Sequence, residues 1–567
     1  AIGRSGNYRR LGVPGQDLDK VYHRLYDPSE YADQNVLVVG GGDSALETAI
    51  ALARCGARVT LAYRKKEFSR PKPDNIEAIE AIEAGDASRV EVEAPSSDRV
   101  NAASGAFIPA ARTPGSLTRL MGSKLVEVRE DEVELVDADG VTRNLPNQTV
   151  FAMIGREPPL DFFRRSGLPI SGEWGLWTWV GFLGFVAFCV FLYHWKSGGV
   201  VTGLFADLRW FPFNIPGALA QVFGDTSDPS TFLGTLAITL KKPGFYYTFA
   251  YTLAIVGFGV DRMRRKRTPY VKVQTLTLMA VQALPLFLLP YIILPYMGHN
   301  GVFDGGVMKT VADNLFPEVG YGHGREYWRA FGFILAWPLF VWNFFTSEPM
   351  TWWLVIGGIL TFVLIPALIY FFGKGAYCGW ICSCGALAET MGDRHRHKMP
   401  HGPFWNRLNM VGQALLGVCF LLFGARVVAW TFPGTGVGGA AEAAFRFGLS
   451  EGGLFGLDIL NSAYLVDLAA LMHIYARFSR FRIFPEKKKC ISCNVCTSVC
   501  HQGIDVMAFA NKGLPMEDPE CVRCSACVES CPTGVLAFGR YDGDGLVKLD
   551  RLQASAVRAR EAAAARG

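Results

Sequence analysis

NVLVVGGGDSALETAIALARCGARVTLAYRKK, residues 35–66, decides how the first part of this chain folds. NVLVV suits a buried strand, three glycines follow at once, and the next dozen residues repeat apolar side chains at helical spacing. With Ala45 the turn reads GxGxxA. Glycine at 40 permits a tight turn, with Gly41 beside it; glycine at 42 lets the backbone approach a pyrophosphate, and the small Ala45 lets helix pack on strand. The helix N-terminus, with Asp43 and Ser44 in its first turn, then faces the phosphates. A glycine turn without a ligand is the plain alternative, but the following strand RVTLAY completes a full β-α-β unit.

The end of that second strand reports which nucleotide is expected. An acidic residue there would hold the ribose diol of NAD, whereas this chain has Ala62 and Tyr63 followed by Arg64, Lys65 and Lys66. Basic residues favour the 2′-phosphate of NADPH; a solvated basic face is the alternative.

At 567 residues the chain is too long for one core. The net charge of +5 is small, and 40 phenylalanines point to a lipid bilayer rather than nucleic acid as the bulk partner. Residues 1–170 and 479–567 are charged, while seven apolar runs lie between them, at 174–195, 244–261, 273–297, 330–346, 352–373, 409–431 and 455–478. The basic clusters RMRRKR at 262–267, RHRHK at 394–398 and RFSRFR at 477–482 all read as cytoplasmic. Placing them on one side requires an even number of crossings, so six spans are expected, with 330–346, which contains Trp337 and Pro338, re-entrant or interfacial. The expected location is the cell inner membrane, multi-pass, with both soluble ends cytoplasmic.

Near the C-terminus stand CISCNVCTSVC, residues 490–500, and CVRCSACVESCP, residues 521–532. This repeated spacing is the bacterial two-cluster ferredoxin arrangement, in which the fourth cysteine of each run serves the other cluster. Cys490, Cys493, Cys496 and Cys531 are expected to hold one [4Fe-4S] cluster, and Cys521, Cys524, Cys527 and Cys500 the second. His501 stands where proline is expected. Such clusters need a reducing compartment. A third group, Cys378, Cys382 and Cys384, sits at a membrane boundary. It either forms a third iron–sulfur site with a fourth ligand such as His395, His397 or His401, or packs without metal. Asp467 and His473, in the last apolar run, serve either a proton or quinone or a structural partner. His194 reads as interfacial, and Cys55, Cys189 and Cys419 as packing residues.

The stretches GRSGNYRRLGVPGQD, YDPSEYADQNVLVVGGGDSALE and TVFAMIGREPPLDFF, spread over residues 1–170, resemble flavoprotein reductases built like thioredoxin reductase. VYHRLYDPSEYADQ lacks the CxxC of the disulfide-reducing members, so the resemblance is to the ferredoxin–NADP reductases of that fold. It implies FAD, although the first flavin half would lie upstream of Ala1 and SGLPISGEWGLWTW replaces the closing flavin strand. NADPH gives up two electrons together and a cluster accepts one, so a flavin is also the chemically natural intermediary. Residues 240–540, with CGWxC at Cys378, resemble membrane polyferredoxins that accompany nitrous-oxide and nitrate reduction, though Ser383 replaces the usual proline.

The expected fold class is multidomain. It comprises an α/β Rossmann-like nucleotide-binding domain with part of a flavin domain at 1–170, an α-helical transmembrane domain at 171–478, an α+β two-cluster ferredoxin domain at 479–545 and a charged tail at 546–567, whose last stretch, 549–567, is expected as a solvated helix or a frayed tail. The expected function is a membrane-bound oxidoreductase joining NADPH, FAD and the clusters to a quinone or a partner redox protein. A redox-driven ion transporter and an electron-supply or maturation subunit remain as alternatives, and no catalytic side chain is assigned.

Overall fold

A computed structural model describes residues 7–85, 115–335, 349–398, 411–449 and 475–564, together with residue 343 and apart from short breaks at 69, 158–159, 169, 171–172, 197–199, 225, 487–488, 519, 543–544 and 549–553. They fall into two compact units. The first comprises residues 1–173, 484–496 and 505–515; the second comprises 174–483, 497–504 and 516–567.

The first unit is built on a parallel sheet. Its elements run β1 (Val21–Tyr22), β2 (Asn35–Val39), α1 (Asp43–Arg54), β3 (Arg58–Tyr63), α2 (Pro73–Glu83), β4 (Ser116–Met121), β5 (Lys124–Val128), β6 (Glu132–Val136), β7 (Thr142–Pro146) and β8 (Thr149–Ala152). The sheet order is β1-β8-β2-β3-β4, every neighbouring pair parallel. Successive strand residues point to opposite faces. Val36, Val38, Val59 and Leu61 pack with the alanine-rich α1 and with α2. Leu37, Ala62 and Val150 pack instead on Leu125, Val128, Val133 and Leu135 from the antiparallel sheet β5-β6-β7. Strands buried on both faces read as continuous apolar runs, as NVLVV does. The three-stranded sheet gives no comparable signal, because β7 (TRNLP) is largely exposed.

The second unit is helical. Among the described residues three helices are long and apolar enough to cross a membrane: Leu176–Lys196, Pro269–His299 and Thr351–Phe372. Six spans were expected of the whole chain, and the described residues account for three of them. The run 244–261 lies in the 23-residue helix Pro243–Arg265, but its tyrosines, threonines and terminal arginines dilute its apolar character. The run 409–431 largely coincides with the helix Val411–Thr431. Most of 330–346 and of 455–478, with Asp467 and His473, falls outside the described residues. Pro269–His299 passes through a π-helical stretch, Leu284–Ile293, around Pro290, whose missing N–H interrupts the regular ladder. Leu176–Lys196 exposes most of its large apolar side chains, Trp177 by 83% and Phe185 by 64%.

The segment expected from residue 546 as a charged tail begins inside a strand, and of the two forms expected for its last stretch the helix is the one found. Gly545–Lys548 pairs antiparallel with Leu536–Asp542, so a boundary at 545 would cut a strand. The helix Ala556–Ala564 follows buried Ala554 and Ser555, and Arg558 donates from Nε and Nη2 to the Gly534 carbonyl at 3.1 and 3.0 Å.

Candidate nucleotide and iron–sulfur sites

The glycine turn joins β2 to α1, and its three glycines do different things. Gly40 has φ +153°, and a Cβ there would lie 2.4 Å from the Met153 carbonyl oxygen and 2.9 Å from the Ala45 Cβ. Gly41 lies against Tyr63, whose ring would be 2.2 Å from an added Cβ. Gly42 is extended, with φ −111°, and a Cβ there would meet nothing within 4 Å. The first two glycines serve packing, and the third leaves open space at the start of α1. In that first turn the N–H groups of Asp43 and Ser44 have no acceptor among the described residues, as is normal for a helix start. A pyrophosphate fits this arrangement. Asp43 itself turns away: its Oδ1 accepts from the Lys72 N–H at 2.6 Å and from Asn75 Nδ2 at 2.9 Å, tying α1 to α2. Arg64 and Lys65 are exposed immediately after β3, while the Lys65 carbonyl is fixed by the Gly122 N–H at 2.9 Å.

The two cysteine runs share a backbone signature. Ser492 and Asn494 have φ of 53° and 62°, and Arg523 and Ser525, at the corresponding places of the second run, have 52° and 72°. Each non-glycine residue in this left-handed region costs about 1–2 kcal/mol. Two loops adopt the same costly curl between their cysteines, as expected of loops wrapped around a group that their sulfurs bind. Cys490, Cys493 and Cys496 belong to the first unit; Cys500, Cys521, Cys524, Cys527 and Cys531 belong to the second. Burial pushes the Cys500 thiol up to about 12 and the Cys521 thiol up to about 11, so ligation there must displace a firmly held proton. Arg523 is only 4% exposed, and its Nε and Nη1 have no hydrogen-bond acceptor. A buried cation beside Cys521 suits the negative charge that four thiolates would bring.

Cys524 differs from its neighbours. Burial alone raises its thiol, but His501 and Arg396 outweigh this and bring it down to about 7. Arg396 Nη1 lies 3.4 Å from Cys524 Sγ and 2.5 Å from His501 Nδ1; its Nη2 donates to Glu389 Oε2 at 2.7 Å and its Nε to Asp393 Oδ1 at 2.9 Å. Arg262, on the helix Pro243–Arg265, donates to the same Glu389 oxygen at 2.9 Å. Lys266 bridges Asp393, at 3.1 Å, and Glu529, at 3.4 Å. Glu389, His501 and Cys524 are the one trio of such donor groups within 4.8 Å of one another among the described residues. Arg396 contacts all three, which fits an ionic junction rather than a metal ion. Burial raises the Asp393 carboxyl, yet Lys266, Arg396 and Arg262 bring it down to about 2.

Cys378, Cys382 and Cys384 lie on a loop fastened by helix side chains. The carbonyls of Gly379, Ile381 and Ser383 accept from Gln274 Nε2 at 2.9 Å, Gln282 Nε2 at 3.0 Å and the Tyr251 hydroxyl at 2.7 Å. At Gly385 a Cβ would fall 1.4 Å from the Cys378 carbonyl oxygen, so the loop folds back on itself only with glycine there. The segment leading into this loop packs on the second cysteine run: Cβ atoms at Gly375 and Gly373 would lie 2.2 Å from the Val522 carbonyl oxygen and 2.7 Å from Arg523. Burial pushes Cys378 up to about 11, whereas a hydrogen bond from Cys382 draws Cys384 down to about 6. Of the suggested fourth ligands, His395 is exposed and His401 lies outside the described residues, as does the side chain of His397. Cys55 is buried in α1's packing and Cys189 is exposed on its helix. Sequence reading missed Gln274, Gln282, Tyr251 and Arg396; glutamines inside an apolar run were the available signal.

Residues 1–176 match the family described as pyridine nucleotide-disulphide oxidoreductase, residues 354–400 a 4Fe-4S binding domain and residues 482–532 a 4Fe-4S dicluster domain. Bacilliredoxin reductase Bdr of Bacillus subtilis is 30% identical over 166 residues, 29% of this chain and 42% of that protein. A ferredoxin–NADP reductase of Ignicoccus hospitalis is 46% identical over 71 residues, 12% of this chain and 23% of that protein. Among solved structures, bacillithiol disulfide reductase Bdr from Bacillus cereus has 27% identity and a TM-score of 0.23, covering 30% of this chain and 43% of that one. The chain spans under half the length of each of these relatives.

Two outcomes are expected. Gly42→Ala costs at most about 1 kcal/mol in thermal unfolding yet weakens NADPH about tenfold or more by calorimetry, since the new methyl enters the open space. Arg262→Met, which strips Glu389 of a buried partner, destabilises by about 3–5 kcal/mol in denaturant unfolding; because Asp393 is depressed, the junction's contribution is complete above about pH 4 and lost as pH falls through about 2. The first 176 residues are thus a reductase-type pyridine-nucleotide domain, joined in one chain to two 4Fe-4S domains.

Proposed function

We propose that the protein is a membrane-bound oxidoreductase that moves electrons between NADPH and a chain of iron–sulfur clusters, and onward to a quinone or a partner redox protein. One observation carries this reading: the segment that leads into Cys378, at Gly373 and Gly375, packs directly on residues 522–523 of the second cysteine run, which would bring a cluster on each cysteine group close to the other. NADPH supplies a hydride when bound. The Asp43 and Ser44 N–H groups receive its pyrophosphate, and Arg64 and Lys65 hold its 2′-phosphate. Four thiolates hold each ferredoxin cluster, and Cys378, Cys382 and Cys384 supply three ligands to a third. The parallel sheet carries one glycine turn of this kind, and the described residues offer no second one for the flavin that the resemblance implies. Conversion of a two-electron donor to one-electron carriers therefore rests on a flavin held outside them.

Membrane insertion is supported by the exposed apolar surface of Leu176–Lys196 and by the three basic clusters at 262–267, 394–398 and 477–482. Six crossings of an inner membrane would put both redox ends on the cytoplasmic side, the reducing one.

Arg64→Ala should weaken NADPH about tenfold while leaving NADH within about twofold, measured as KM in NADPH oxidation with a one-electron dye; equal losses would contradict the 2′-phosphate assignment. Replacing Cys378, Cys382 and Cys384 by serine should remove about one third of the iron per chain. An unchanged iron content would leave the loop without a cluster.

A further inference from the structure

We infer that Asn511 couples the nucleotide-selecting loop after β3 to the cluster held by Cys490, so that binding of a 2′-phosphorylated nucleotide shifts that cluster's reduction potential. The nucleotide-side loop, Asn511, Cys490 and Ser492 all lie in the first unit. Asn511, near the end of the helix Val506–Lys512, is 2% exposed. Its Nδ2 donates to the Arg70 carbonyl at 3.2 Å, while its Oδ1 is 3.0 Å from Cys490 Sγ and 3.1 Å from Ser492 Oγ. One amide therefore touches both the loop and a ligand sulfur. The next residue, Lys512, forms an ion pair with Glu67 on the same loop.

That loop is anchored on the nucleotide side. It leaves β3 at Arg64 and Lys65 and is held by Phe68, which is buried and stacks on Tyr63 with centroids 5.6 Å apart. Tyr63 in turn packs under Gly41 of the phosphate turn. The described contacts run from phosphate turn to sulfur as Gly41, Tyr63 and Phe68, then, beyond residue 69, the Arg70 carbonyl, the Asn511 amide and Cys490. Contiguous packing and hydrogen bonding of this kind can carry energetic coupling. At its far end it acts electrostatically: once Cys490 binds iron its sulfur has no proton, so the carbonyl end of the Asn511 dipole faces the ligand sulfur, and moving it nearer or farther changes the charge environment that sets the cluster potential. A phosphate drawn onto Arg64 and Lys65 displaces the loop, and with it the Arg70 carbonyl that orients the amide. Linkage then requires that cluster reduction alter nucleotide affinity by the same factor.

The inference rests on the proposed function, which identifies the nucleotide and the cluster. The test uses the full, cluster-loaded chain: calorimetric binding of NADP+ and NAD+, with redox titration of the clusters by electron paramagnetic resonance in their presence and absence. The expected result is an about fivefold difference in NADP+ affinity between oxidised and reduced protein, equivalent to a potential shift of about 40 mV for one electron, with no shift from NAD+. Asn511→Ala should abolish the shift while NADP+ still binds. If that variant loses iron, Glu67→Gln, which leaves Cys490 and its neighbours untouched, should cut the shift by at least half. An undiminished shift in the iron-loaded Asn511→Ala chain, or in Glu67→Gln, overturns the coupling, as does NADP+ binding without any shift in the unaltered chain. Failure of NADP+ to bind at all overturns the functional reading, and the coupling with it.

Discussion

Arg396 reaches Glu389, Asp393, His501 and Cys524 from one buried side chain, and the second unit is organised around that convergence. Buried charges are expensive, and an apolar replacement of an entire buried network is often no less stable. The arrangement is better understood by what it connects. Glu389 and Asp393 follow the Cys378–Cys384 loop in sequence, Arg262 and Lys266 end a long helix, and His501 and Cys524 flank the second expected cluster. Each carboxylate is shared between cations from different segments, so no segment can shift without exposing a charge to an unfavourable environment. The junction keeps a helix end, a cysteine loop and a cluster ligand in fixed register.

The same economy governs the Cys378–Cys384 loop. A loop held between apolar helices has carbonyl oxygens that no regular ladder satisfies. Here Gln274, Gln282 and Tyr251 satisfy three of them, and two of those side chains come from the single helix Pro269–His299. The polar face of an otherwise apolar helix is thus spent on holding cysteines in place.

Much of this was legible in the sequence where the signal is local. The strand NVLVV, the glycine turn and the repeated cysteine spacing each specify a backbone within a dozen residues. The distinct duties of Gly40, Gly41 and Gly42 were not legible, because they depend on Met153 and Tyr63, which the sheet brings to the turn. Asp43 was grouped with the phosphate-facing residues, but its side chain serves α2, a partner set by helix packing. Arg396 and Asn511 meet residues more than a hundred and more than four hundred positions away, respectively, a separation at which no spacing rule operates. Fewer spans are met among the described residues than the hydropathy runs suggest, because such a run does not weigh where tyrosines, threonines and arginines fall along a helix, as in Pro243–Arg265.

The paired left-handed residues Ser492 and Asn494, Arg523 and Ser525 also bear on how the chain is made. Their cost is borne whether or not iron is present, and the metal–sulfur bonds that offset it exist only after the cofactor arrives. A freshly synthesised chain lacking iron would hold these loops less firmly than a loaded one, and would open them to proteases more often. Cofactor insertion would then act as a checkpoint in biogenesis, with the survival of new chains following iron supply as well as synthesis.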